Sequence, residues 1–241
     1  MKLRVKFAKY GALRFIGHLD VMRFFQKALR RADIDVAYTT GFSPHQIMSF
    51  AAPLGLGVES FGEYMDIEVN SVTNSEDMLR RLNAACVPGI RILNIRALPK
   101  QAGNAMASVA AARYKAAWKE EKGDFTPLAS VLSPFLAQET ILVTKETKKG
   151  TSQVNIRPGI YELFLREDGG LEMLVDASSA GNVKPSLLLD ALWDFARAGQ
   201  FVTGEAPQSS WQLTRMEIYT NRESQEEPKL VPMDEIGEDI L

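Results

Sequence analysis

Apolar Leu3, Val5 and Phe7 alternate with basic Arg4, Lys6 and Lys9, the period of two that marks a half-buried strand. On this reading the strand carries one basic face. From His18 to Ala32 the period lengthens. Leu19, Met22, Phe25 or Gln26, and Leu29 recur at helical spacing with Arg23, Lys27 and Arg30 on another face, which predicts an amphipathic helix. Residues 33–38 read as a second strand, residues 41–46 as a turn built on Gly41, Ser43 and Pro44, and residues 47–55 as a third extended run. Alternation returns over residues 63–69, where Tyr64, Asp66 and Glu68 oppose Met65, Ile67 and Val69. N-capping residue types at 71–75 then precede a helix that Pro88-Gly89 stops, and residues 90–98 close the half as a strand.

A similar order follows a small-residue link at 99–104. A strand is expected over about 108–119, then a helix with Pro127 in its first turn and Pro134 kinking or shortening it, then a strand at 141–147. Two apolar runs flank Asp168-Gly169-Gly170, a hairpin signal. Pro185 opens a helix ending at Gly199, and residues 211–220 alternate as a last strand. The expectation is an α+β protein with two tandem ferredoxin-like (βαββαβ) halves, antiparallel sheets and helices on one face. The halves span 1–98 and 107–220, and an acidic tail occupies 221–241. The alternative is one continuous α+β domain with an enlarged sheet.

The 241 residues are 46% hydrophobic and 24% charged, an ordinary globular composition. No apolar run reaches membrane-spanning length and the N-terminus builds no signal-peptide core, so a cytoplasmic protein without membrane contact is expected. The single cysteine, Cys86, excludes an internal disulfide and a cysteine-rich metal site. The net charge of −2 conceals an asymmetry: residues 1–50 carry nine Lys or Arg against three acids, and residues 221–241 two against seven. The first half is therefore a candidate phosphate-binding surface.

Both histidines fall within residues 11–50. Arg14, Arg23, Lys27, Arg30 and Arg31 would contact phosphates, and Phe15, Phe42 and Phe50 would offer stacking faces to unpaired bases. His18, Asp20 and His45 would hydrogen-bond a ligand, although His18 or Asp20 equally suits a helix cap. In a second reading His18 or His45 is the general acid or base of a metal-independent endoribonuclease, and in a third the protein is an adaptor without nucleic-acid contact. Lys145, Lys148 and Lys149 form another basic stretch. Arg157, fixed before Pro158, suits an anion fork, and Lys184 places a cation where a helix dipole favours an anion. Sequence signatures of nucleotide hydrolysis, serine hydrolases, zinc proteases and dinucleotide binding are absent. His18, Asp20 and His45 are the one conceivable metal-ligand set, and no cofactor is expected. Cys86 ends an apolar helix, a poor setting for a nucleophile.

Residues 11–60 resemble the radical SAM-linked protein family, an uncharacterised domain found beside or fused to a cobalamin-binding-type radical SAM protein. The resemblance continues at Gly62-Glu-Tyr-Met-Asp-Ile-Glu-Val69, at residues 154–163 and at residues 182–192. Asn155 departs from it, standing where an aspartate is expected. The resemblance implies a radical SAM partner and an accessory role, since this chain lacks the cysteine triad that such an enzyme needs for its iron–sulfur centre. At fold level the first block also looks like RAMP-type RNA-binding proteins, including CRISPR repeat-processing endoribonucleases.

Overall fold

The computed structural model describes residues 1–119, 125–147, 150–207, 210–222 and 229–241. It is a mixed α+β protein whose strands pair mainly antiparallel, divided into two compact units: Met1–Ala110 with Arg215–Leu241, and Ala111–Thr214. These differ from the expected boundaries because residues 107–110 and 215–241 belong to the first unit. Lys148 and Lys149 lie outside the described residues.

Unit 1 contains β1 (Lys2–Lys9), α1 (His18–Arg31), β2 (Met48–Phe50), β3 (Glu59–Glu68), α2 (Ser75–Ala84) and β4 (Ile90–Ala97). The strands lie in the order β4-β1-β3, and β2 pairs with β3. Helix α1 joins β1 to β2 and α2 joins β3 to β4, so each connection crosses over one intervening strand. Alternation along β1 turns Leu3, Val5 and Phe7 into a core with Met65 and Ile67 of β3, Phe25 and Leu29 of α1, and Met78 and Leu82 of α2. Local chemistry sets the helix ends: Asn74 accepts the Asp77 N–H at the start of α2, and Arg81 donates to the Ala32 and Asp33 carbonyls beyond α1.

Unit 2 contains β5 (Ala111–Trp118), α3 (Ala129–Leu136), β6 (Leu142–Thr147), β7 (Gly150–Asn155), β8 (Ile160–Leu165), β9 (Leu171–Asp176) and α4 (Pro185–Ala198), and the start of β10 (Trp211–Arg222). Its strand order is β10-β5-β9-β8, with β6 and β7 paired as a separate two-stranded antiparallel sheet. Phe125, Phe135, Leu188, Leu192, Met173 and Trp211 anchor its core. The Asp168-Gly169-Gly170 hairpin is present, and Pro134 lies inside α3.

One local expectation is corrected, and two elements lie beyond the sequence reading. Residues 33–38 form no strand: Asp33 has φ of 53°, and Val36 and Tyr38 make only isolated bridges. The strand there is β2, within the third extended run. Strand β7 was not anticipated, because the polar Thr151-Ser152-Gln153 run shows no alternation of apolar residues. Finally, residues 229–241 are folded. Strand β11 (Lys229–Pro232) pairs with β10, Met233 is fully buried, and Ala97 and Glu238 exchange two backbone hydrogen bonds.

Candidate functional site

The basic face expected on β1 is not open. Arg4 is 1% exposed and grips Asp66 with two hydrogen bonds, Nε to Oδ1 at 2.8 Å and Nη2 to Oδ2 at 3.0 Å, while Nη1 donates to the Met233 carbonyl. Lys6 pairs with Glu217 and, at 3.5 Å, with Asp234. The Tyr64 hydroxyl donates to Glu217 at 2.7 Å and Asp234 at 2.8 Å, and the Asn94 amide donates to Asp234 at 2.9 Å. Burial, then the two carboxylates, raise the Tyr64 phenol and keep it a donor. A second buried pair joins Arg215 to Glu63 at 2.6 Å, and Arg215 also donates to the Ala52 carbonyl. None of these carboxylates was anticipated. Each has a side-chain partner at least 62 positions away, and a charge pattern along the chain carries no signal of such pairing.

Burial pushes the Asp234 carboxyl up, but hydrogen bonds from Asn94 and Tyr64 and the Lys6 charge outweigh it, so the net shift is downward. Its lowered value stabilises the fold above the ordinary carboxylate range, near pH 4, and that contribution is lost as pH falls through the folded-state value. Asp234→Asn is therefore expected to cost about 1–2 kcal/mol at pH 7. Urea titrations should show the gap from wild type closing below pH 4; a gap that stays constant in acid refutes the assignment.

The cations of α1 have the opposite setting. Arg23, Lys27, Arg30 and Arg31 are all exposed. Arg23 makes only an exposed contact of 3.4 Å with Asp20, Arg30 donates to the Gln26 carbonyl, and Arg31 to the Ala85 carbonyl. Positions 23, 27 and 30 follow the i, i+4, i+7 spacing, one stripe about 10 Å long at the helical rise. The capping role considered for His18 and Asp20 falls to Gly17, with no side-chain cap.

Around this helix the other candidates separate. Arg14 is held by Glu59 at 3.0 Å, with its guanidinium over Phe15 at 4.8 Å. Phe50 is a core residue, packed on Phe7, Phe25 and the His18 ring, so it offers no stacking face. Phe42 is fully exposed at the tip of the loop that Gly41, with φ of 115°, opens. His45 is exposed and tied to Thr39, whose hydroxyl meets its ring at 3.1 Å and accepts its N–H at 3.1 Å. Among the described residues no hydrogen bond or ring contact joins His18 to His45, and no group of three or more His, Cys, Asp or Glu could hold a metal. Burial pushes the Cys86 thiol up to about 11, so it is a thiol at neutral pH.

In unit 2, Arg157 donates to the carbonyls of Leu136 and Ile160, the first being the last residue of α3. Its guanidinium thereby ties a helix end to a strand. Asn155 accepts the Ile141 and Arg157 N–H groups through its amide oxygen, a task that a carboxylate would perform equally. Lys145 donates to the Asn182 carbonyl, and Lys184 is the exposed N-cap residue of α4, making no side-chain cap.

No helix among the described residues is long and apolar enough to cross a membrane. A search of the curated proteins finds no match. Among solved structures, the first two RRM domains of yeast poly(U)-binding protein Pub1 match at 12% identity over 89% of this chain and 98% of that one, with a TM-score of 0.20, too low to bear on fold or ligand. A family model covers residues 2–185, and on that match the chain belongs to the family described as uncharacterized protein conserved in bacteria (DUF2344).

Proposed function

We propose that the protein is a non-catalytic RNA-recognition subunit that grips single-stranded RNA on the outer face of α1. The observation that carries this reading is the exposed stripe of Arg23, Lys27 and Arg30, flanked by Arg31. Arg4 and Lys6 of β1 are committed to carboxylates, whereas the cations of α1 face solvent. Phosphates can replace the exposed Asp20–Arg23 contact at little cost, since such pairs contribute at most about 1 kcal/mol. Phe42 supplies one aromatic face for stacking an unpaired base. Both units are read as ferredoxin-like, supported by the corresponding strand orders β4-β1-β3-β2 and β10-β5-β9-β8. The partner implied by the resemblance of residues 11–60 is a radical SAM enzyme. That enzyme would hold the radical chemistry while this chain presents the RNA.

Fluorescence anisotropy of a short labelled single-stranded RNA at several salt concentrations tests the reading. If four cations neutralise four phosphates, the log–log slope of affinity against salt is about −3, at roughly −0.7 per phosphate. Arg23→Glu/Arg30→Glu should flatten that slope by about 1.4 and weaken binding at least about tenfold. Absence of binding by wild type at low salt overturns the proposal and leaves the protein-adaptor reading in its place.

A further inference from the structure

Strands β6 and β7 form their own sheet, and among the described residues β6 pairs with no other strand. The Ile156 N–H donates to the Ile141 carbonyl, and this pair continues the register that sets Leu142 opposite Asn155. Bonded pairs alternate in an antiparallel ladder, so Val143 and Lys145 bond to β7 while the N–H and C=O groups of Leu142 and Thr144 point the other way. An open strand edge of this kind is a template for another extended chain. Val143 anchors β6 in the core of unit 2, and Lys145 ties the strand to the Asn182 carbonyl just before α4.

The open edge of β6, with Leu142 and Thr144, forms one wall of a groove of about 410 Å³. The other wall is α4, where Leu187, Asp190, Ala191, Asp194 and Phe195 recur at helical spacing along one face. That stripe is about 12 Å long, the length of roughly four residues of extended chain. Leu187, Ala191 and Phe195 pack against the core and give this wall an apolar base. The charged groups of the groove are both acids, and among the described residues no Lys, Arg or His lines it. Arg197 pairs with Asp194 at 2.7 Å, but this contact is exposed and is displaced at little cost.

We propose that the groove takes up an extended segment of a partner protein carrying Lys or Arg. The segment adds a third strand to the β6–β7 sheet and exchanges backbone hydrogen bonds with Leu142 and Thr144. Alternate side chains then face α4: an apolar one rests on Ala191 and Phe195, and a cationic one two positions along meets Asp190 and Asp194. Charge selects this occupant, since nucleic acid would bring phosphates against two carboxylates. The site is independent of the RNA reading, because none of the α1 stripe residues lines it.

The probe is an acetylated, amidated Thr-Leu-Thr-Arg-Thr peptide, titrated into the whole chain while amide hydrogen exchange is followed by NMR. Saturation should slow exchange at Leu142 and Thr144 at least about tenfold. Glutamate in place of the peptide arginine should weaken binding at least about tenfold. N-methylation of alternate peptide amides should block binding in one phase and spare it in the other, because only every second N–H faces β6. These arms use the wild-type protein and need no variant to fold. Thr144→Pro removes an outward donor while leaving the β7 ladder intact, and Asp194→Lys reverses an exposed charge; each should weaken the arginine peptide at least about fivefold. Equal binding of the arginine and glutamate peptides, equal effects of the two methylation phases, or unchanged exchange at Leu142 and Thr144 each overturns the proposal. So does a dimer in sedimentation whose Leu142 and Thr144 amides are already protected, which assigns the edge to a second copy.

Discussion

Asp66→Ala is expected to lower the unfolding free energy by about 3–5 kcal/mol, the range for stranding one member of a buried ion pair. The residue left behind is Arg4, 1% exposed, whose Nε and Nη2 would lose both carboxylate oxygens and keep only the Met233 carbonyl. Replacing both partners at once, as in Arg4→Met/Asp66→Leu, removes the buried charges as well as their attraction and should cost much less than Asp66→Ala. Far-UV circular dichroism in urea is the appropriate probe. A double variant as unstable as Asp66→Ala would show that the cost is lost packing and not stranded charge.

Phe25→Ala should cost a similar 3–5 kcal/mol for a different reason. Phe25 is fully buried where α1 meets the sheet, its ring 4.7 Å from that of Phe7 and 6.0 Å from that of Phe50. Truncation opens a cavity among stiff aromatic neighbours that cannot close over it. The consequence reaches the proposed interface, since Phe25 anchors the helix whose outer stripe holds Arg23, Lys27 and Arg30. Phe25→Ala should therefore weaken RNA binding only where the chain unfolds, whereas Arg23→Glu/Arg30→Glu should weaken it at least about tenfold with the melting curve unchanged. A loss below about 1 kcal/mol for Phe25→Ala would mean that α1 is held by other contacts.

What the sequence made legible follows the range of the interactions involved. Strand β1, helix α1 and the hairpin at Asp168-Gly169-Gly170 are encoded within a few residues, by alternation, helical spacing and turn chemistry, and all are present. The same alternation misled about solvent. In β1 it separates Leu3, Val5 and Phe7 from Arg4 and Lys6, but periodicity reports only that two faces differ. Whether the second face meets water depends on Asp66, Glu217 and Asp234, which chain distance hides. The loop arginine before Pro158 likewise looked available, because its acceptors are backbone carbonyls that every residue possesses. The α1 cations were legible because their exposure follows from their own helix: they occupy the face opposite Val21, Phe25, Ala28 and Leu29.

The division of β10 between the two units bears on how the chain is made. Unit 2 interrupts unit 1, whose final stretch begins only at Arg215. Domains usually fold in order of synthesis, the N-terminal one first. Here the order is reversed for completion: unit 2 has all its residues by Thr214, while the first unit still waits. A nascent chain halted at that point holds Glu63 without Arg215, Tyr64 without either of its acceptors and Arg4 without the Met233 carbonyl. The half of the protein translated first is the half finished last, so a chain halted at Thr214 holds Glu63 without its cation and Lys6 without either of its carboxylates.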